Sequence, residues 1–109
     1  MKGFNRHEDY ATVGCAIPFQ LMVQDMDLMQ EMNANAVRTC HYPNDERFLD
    51  LCDERGMYVW EENHARGFGL ERMQNPNFDV QCRDCIDEMI GNHFNHPSII
   101  IWGILNECA

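Results

Sequence analysis

The sequence predicts an α/β fold, the first half of a (β/α)8 barrel: about four βα units, with the last helix missing. Three observations predict it. Short runs rich in β-branched and aromatic residues alternate with longer stretches of helical periodicity, which favours a parallel sheet under helical cover. Polar residues accumulate after each proposed strand, at Asn5-Arg6-His7-Glu8, at Arg38 and His41, at Glu61-Glu62-Asn63-His64 and at Asn106-Glu107, where they would converge on one rim. Alternation also permits a small doubly wound nucleotide-binding sheet, but neither Gly-x-Gly-x-x-Gly nor a Gly-Lys-Ser/Thr loop occurs.

Strand one is Lys2 to Asn5 or slightly beyond. Helix one runs from Pro18, a good first-turn residue, to Met32, with Leu21, Leu28, Met32, Met22, Met26 and Met29 as its apolar stripe. Asn33 and Asn35 punctuate the exit to strand two, Ala36 to Cys40, which ends in His41-Tyr42-Pro43. Asn44 is placed to cap helix two, about Asp45 to Arg55, which carries acids in its first turn, Arg55 in its last and Gly56 just beyond. Phe48, Leu49, Leu51 and Cys52 supply its apolar contacts. Strand three, Met57 to Trp60, is followed by a long Gly-containing segment that leads to Pro76, and a loop of that length after a strand is often functional.

Helix three, about Asn77 to Asn92, shows Phe78, Cys82, Cys85, Ile86, Met89 and Ile90 at helical spacing before Asn95-His96-Pro97 turns the chain into strand four. The apolar run Ile99 to Leu105 suits a parallel strand buried on both faces, and it stops abruptly on Asn106-Glu107. At the carboxyl end of a barrel strand, such a pair stands where catalytic groups stand.

With 109 residues, 45% hydrophobic and 24% charged, the composition is that of a soluble globular chain. A formal charge of -10 and only eight Lys and Arg, scattered along the sequence, argue against nucleic acid or an anionic membrane as partner. No run approaches the roughly 20 apolar residues of a membrane span, and the first residues lack a signal-peptide core, so a cytoplasmic location is expected. Six cysteines without a signal sequence read as reduced, mostly buried thiols, and Cys82-Arg83-Asp84-Cys85 lies inside a helical pattern with no second pair to complete a zinc site.

Taken together, Gly3-Phe4-Asn5-Arg6-His7-Glu8, Asn35-Ala36-Val37-Arg38-Thr39-Cys40-His41-Tyr42-Pro43, Tyr58-Val59-Trp60-Glu61-Glu62 and Asn95-His96-Pro97-Ser98-Ile99-Ile100-Ile101-Trp102-Gly103-Ile104-Leu105-Asn106-Glu107 resemble the barrel domain of family 2 glycoside hydrolases. That family includes β-galactosidases, β-glucuronidases and β-mannosidases, and the resemblance runs over essentially the whole chain in order and spacing. It implies a retaining exo-β-glycosidase with a carbohydrate substrate, a β-galactoside ahead of a β-glucuronide. Glu107 is then the general acid/base, and Asn106 the contact to the sugar 2-hydroxyl. Arg38 is the strand-two arginine expected to hold the nucleophilic carboxylate ionised. His7 and His41 match histidines of the rim that touch substrate hydroxyls. Trp102 reads first as core.

Two departures qualify the resemblance. Galactosidases of the family that use magnesium carry Glu-x-His after strand three, where Arg66 and Phe68 fall here, so no metal and no other cofactor is assigned. The nucleophilic glutamate of the family comes from strand seven, past Ala109. This chain therefore holds half of the catalytic pair and is expected to be inactive by itself, in need of the remainder of the barrel or of a second copy. The alternatives are a noncatalytic carbohydrate-binding module and a self-associating half-barrel.

Overall fold

A computed structural model describes residues 1–109. Its elements follow one another as β1 (Gly3–His7), α1 (Phe19–Glu31), β2 (Ala36–Cys40), α2 (Glu46–Arg55), β3 (Tyr58–Glu62), α3 (Leu70–Met73), α4 (Pro76–His93) and β4 (Ile99–Gly103). The strands form one four-stranded sheet in the order β1-β2-β3-β4, with every pairing parallel. Strand order that only advances is that of a barrel wall. A doubly wound sheet reverses its order at a switch point, and no reversal occurs here.

The core lies between the sheet and the helices. Val37 and Val59 point down from the strands onto Met22, Met26 and Met29 of α1 and Phe48, Leu49, Leu51 and Cys52 of α2, with Ile17 and Met57 closing the cluster. Period-two alternation leaves the opposite face of the sheet without cover, so Tyr58 and Trp60 remain 47% and 40% exposed. The apolar stripe expected of helix one is narrower than the sequence suggested. Leu28 and Met32 are 52% and 66% exposed, because they project beside the free edge of β1, where with Phe4 they line a shallow surface groove.

The cap of α2 is Asp45, not Asn44. Asp45 accepts from the Arg47 N–H at 2.9 Å, while Asn44 turns inward, buried, and its Oδ1 accepts from Arg6 Nη1 at 2.9 Å. Gly56 closes the helix in the left-handed conformation, φ 69°, and its N–H reaches back into the last turn. The stretch read as loop between strand three and Pro76 contains the short α3, and α4 begins at Pro76 with Asn75 capping the Asn77 N–H at 2.9 Å. Strand three continues through both glutamates to Glu62, and strand four stops at Gly103, leaving Ile104 and Leu105 exposed outside it. All six cysteines are free thiols. No helix is long and apolar enough to cross a membrane.

Candidate active site

At the carboxyl ends of the strands, one guanidinium gathers the polar residues. Register pairs Arg38 of β2 with Asn5 of β1 and with Trp60 of β3, so all three share the uncovered face, and the long side chain rises from there toward the rim. Arg38 Nε donates to Glu62 Oε1 at 2.6 Å, Nη2 to Asn106 Oδ1 at 2.6 Å and Nη1 to Asn5 Oδ1 at 3.3 Å. The second oxygen of Glu62 pairs with His41 Nδ1 at 2.8 Å, and its backbone N–H donates to Thr39 Oγ1 at 3.2 Å. Glu62 is 2% exposed, so both ends of this carboxylate are fixed in a low-dielectric position where such bonds are strongest. The His41 ring meets that of His7 edge-on, 5.3 Å between centroids.

Asn106 is held from a second side. Its N–H donates to Ala65 O and its O accepts from Gly67 N–H, both at 2.9 Å, which zips the β4 exit to the loop after β3. Glu107 follows with φ 51°, a left-handed conformation that side chains rarely adopt, and its exposed side chain makes no hydrogen bond or ion pair within the chain. Residues held in such sparse regions of backbone space concentrate at functional sites.

Of the residues read from the sequence, Arg38, His41 and Asn106 are joined through hydrogen bonds, His7 touches the group through its ring, and Glu107 stands next to Asn106 in the chain. Glu62 is the member that sequence reasoning did not single out. Other polar residues from the strand ends leave the rim. Arg6 points to the helix layer, its Cζ 3.9 Å from the Phe48 ring centroid and its Nε on Asp25 Oδ2 at 2.9 Å. Glu61 is fully buried on that same side, with His93 Nδ1 at 2.9 Å and the Asn44 N–H at 3.3 Å; burial pushes its carboxyl up, against the pull of His93. His64 turns outward, 3.7 Å from the Cys85 thiol. Trp102 is half-buried in register with Glu61, on the helix side of the sheet.

The alternation of a strand predicts that neighbouring glutamates part to opposite faces, and only the register of β2 against β3 says that Glu62 goes to the rim. The residues after β3 do not fit a magnesium site of the Glu-x-His kind. Arg66 puts a cation at the first place, its Cζ 5.9 Å from the Tyr42 ring centroid, and Phe68 packs edge-on against Phe78 of α4 with 5.6 Å between centroids.

The whole chain, residues 1–109, matches the model of the glycosyl hydrolases family 2 TIM barrel domain. It is 39% identical over 111 residues to a β-galactosidase of Lactococcus lactis, covering 98% of this chain and 11% of that enzyme. Among solved structures, a β-galacturonidase of Eisenbergiella tayi bound to galacturonate superposes with a TM-score of 0.95 at 64% identity, over 98% of this chain and 19% of that one. A Bifidobacterium dentium β-glucuronidase complexed with coumarin-3-O-glucuronide superposes with a TM-score of 0.96 at 37% identity, over 99% and 17%. The chain thus spans between a tenth and a fifth of the length of these relatives. A parallel wall of four strands, a polar rim at their carboxyl ends and a match along the whole sequence place it in glycoside hydrolase family 2, as the N-terminal part of the TIM barrel domain.

Proposed function

We propose that this chain supplies the acid/base half of the active site of a retaining exo-β-glycosidase, and that the sugar it removes is a β-linked galacturonate. The observation that carries the first statement is the single guanidinium of Arg38 bridging Glu62 and Asn106, with Glu107 next in the chain. Asn106 spends its carbonyl oxygen on Arg38, which leaves the amide hydrogens to donate to the sugar 2-hydroxyl as the oxocarbenium-like transition state forms. Glu107 protonates the departing glycosidic oxygen and then takes the proton of the water that releases the sugar. Arg38, fixed from below by Glu62, presents its charge to the nucleophilic carboxylate, which in this reading comes from strand seven and lies about 5 to 5.5 Å from Glu107. His41, oriented by Glu62, and His7 meet the remaining hydroxyls.

Galacturonate combines the ring configuration of galactose with the C6 carboxylate of glucuronate, the two glycones that the resemblance puts first and second. The 64% identity to a β-galacturonidase supports that combination. Arg66 supports it too, as an exposed cation without an ion-pair partner beside the rim, where magnesium-using relatives place an anionic ligand.

The test is turnover of aryl β-galacturonide, β-galactoside and β-glucuronide by the full-length enzyme that contains this segment. Fastest turnover of the galacturonide is expected; preference for the neutral galactoside would remove the uronate reading. Glu107→Gln should lower kcat by about 10²- to 10⁴-fold for poor leaving groups, the range of a lost general acid. Added azide, which needs no general base, should restore release from the glycosyl-enzyme with the β configuration kept. Sugar binding without turnover by both proteins would instead make the rim a carbohydrate-binding module. Arg66→Ala should raise KM for the uronide about two- to five-fold more than for the galactoside, the size of an exposed ion pair.

A further inference from the structure

At the base of the rim, three donors of three chemical kinds are already gathered. The Cys40 thiol, the His41 imidazole and the Glu62 carboxylate each offer an atom within 4.8 Å of the other two. We propose that this trio is an inhibitory zinc site inside the sugar pocket. Thiolate, nitrogen and carboxylate oxygen together match the preferences of zinc and not those of magnesium or calcium, which take oxygen ligands. Tetrahedral zinc holds its ligands about 2.0 to 2.3 Å from the metal, so donor atoms stand roughly 3.3 to 3.7 Å apart. His41 Nδ1 and Glu62 Oε2 now stand at 2.8 Å, and an ion between them would part them.

The Cys40 thiol loses its proton to solvent as the sulfur binds zinc, and a neutral His41 ring moves its proton from Nδ1 to Nε2 to free the ligating lone pair. Glu62 turns Oε2 from His41 to the ion and keeps Oε1 on Arg38. Thiolate and carboxylate then offset the two charges of zinc, while Arg38 keeps one further positive charge nearby. The His7 ring, 5.3 Å from that of His41, stands beside the trio in the space proposed for sugar hydroxyls. Zinc removes the Glu62 bond that orients His41 and turns Nε2 from an acceptor into a donor, so zinc and substrate compete for the ring.

The other cluster of metal-ligating type, Asp50, Asp53 and His96, has no thiol, and its Asp50 is exposed. Cys85 with His64 lies outside the rim on the face of α4 and serves as a control.

Cobalt, added to the full-length enzyme as an optical probe of zinc sites, should give a thiolate-to-metal charge-transfer band that is lost in Cys40→Ser and kept in Cys85→Ser. Zinc inhibition should be reversed by a chelator, be competitive with substrate, and weaken in Cys40→Ser by about ten-fold or more, since loss even of an outer-shell partner costs 10- to 100-fold in metal affinity. Cys40→Ala replaces Cys40→Ser if the serine variant does not fold. A band that survives in the Cys40 variant and vanishes in Cys85→Ser, or equal zinc inhibition of wild type and the Cys40 variant, would overturn the proposal. The cobalt band needs no turnover, so its outcome stands apart from that of the glycosidase reading.

Discussion

Arg38 donates to Glu62, Asn106 and Asn5 through three different nitrogens, an arrangement that depends on the planar fork of a guanidinium. Lysine would keep the charge and lose the geometry. In the full-length enzyme Arg38→Lys should therefore remove two charge-assisted bonds, worth about 2–3 kcal/mol of transition-state stabilisation, a fall of about 10²-fold in kcat/KM with little change in melting temperature. A lower melting temperature with unchanged kcat/KM would show that the fork is structural only. Asp53 argues a different effect. Burial raises its carboxyl, but the bonds from Ser98 and His96 outweigh that and hold it below its ordinary value of 3.8. A group lowered in the folded state adds stability above its unfolded pKa and loses it as pH falls through the folded one. Asp53→Asn should therefore flatten the loss of stability as pH falls below about 5 and through the ordinary carboxyl value of 3.8, as read from urea midpoints; an acid limb as steep as that of wild type would remove Asp53 from the account. The sequence already set Arg38, His41 and Asn106 on the rim by motif. It did not separate Glu61 from Glu62, because their division between helix layer and rim is fixed by pairing with another strand.

The elements were legible where local chemistry determines them, as in β2, whose bounds the sequence reading matched, and in the Gly56 stop of α2. They were less so where tertiary contacts decide. Strand three runs on through two glutamates because His93 and Arg38 give each a buried partner, a compensation that no propensity encodes. Asn44 lost the capping position to Asp45 because Arg6 and Glu61 claim it from two other elements. Gly103 shows how tightly β4 is fitted to β3. A methyl group there would lie 2.5 Å from Trp60 Nε1 and 2.8 Å from Glu62 Cγ, inside contact distance of both. Gly103→Ala should thus push Glu62 away from Arg38, lowering stability by about 1–3 kcal/mol in the range of overpacked sites and reducing kcat/KM together with it. Thermal unfolding and steady-state kinetics on one preparation check this, and a variant with wild-type values in both would mean that Trp60 and Glu62 yield without cost.

At the scale of the molecule, advancing strand order and one-sided cover leave two kinds of unfinished surface. β1 and β4 each present a row of backbone groups at a sheet edge, and the face opposite the helices holds an apolar groove of about 210 Å³ lined by Tyr58, Trp60, Ile101, Ala36 and Phe4. In a closed barrel, further strands supply both the missing pairing and the side-chain layers that fill the interior. Exposed edges and apolar faces of this sort promote association between chains. Residues 1–109 expressed alone should therefore self-associate as concentration rises, bind a hydrophobic dye on the uncovered face, and release no chromophore from any aryl glycoside. Sedimentation over a concentration series measures the first. Trp60→Glu places a charge in the middle of the groove, and it should shift the equilibrium toward monomer while leaving the opposite, helix-covered core intact. A wild-type segment that sediments as monomer at every concentration and does not bind dye would mean that the open face closes on itself. Glycoside hydrolysis by the segment, abolished in Glu107→Gln, would mean that copies assemble a second carboxylate opposite Glu107, and the missing nucleophile would then have to be sought within residues 1–109.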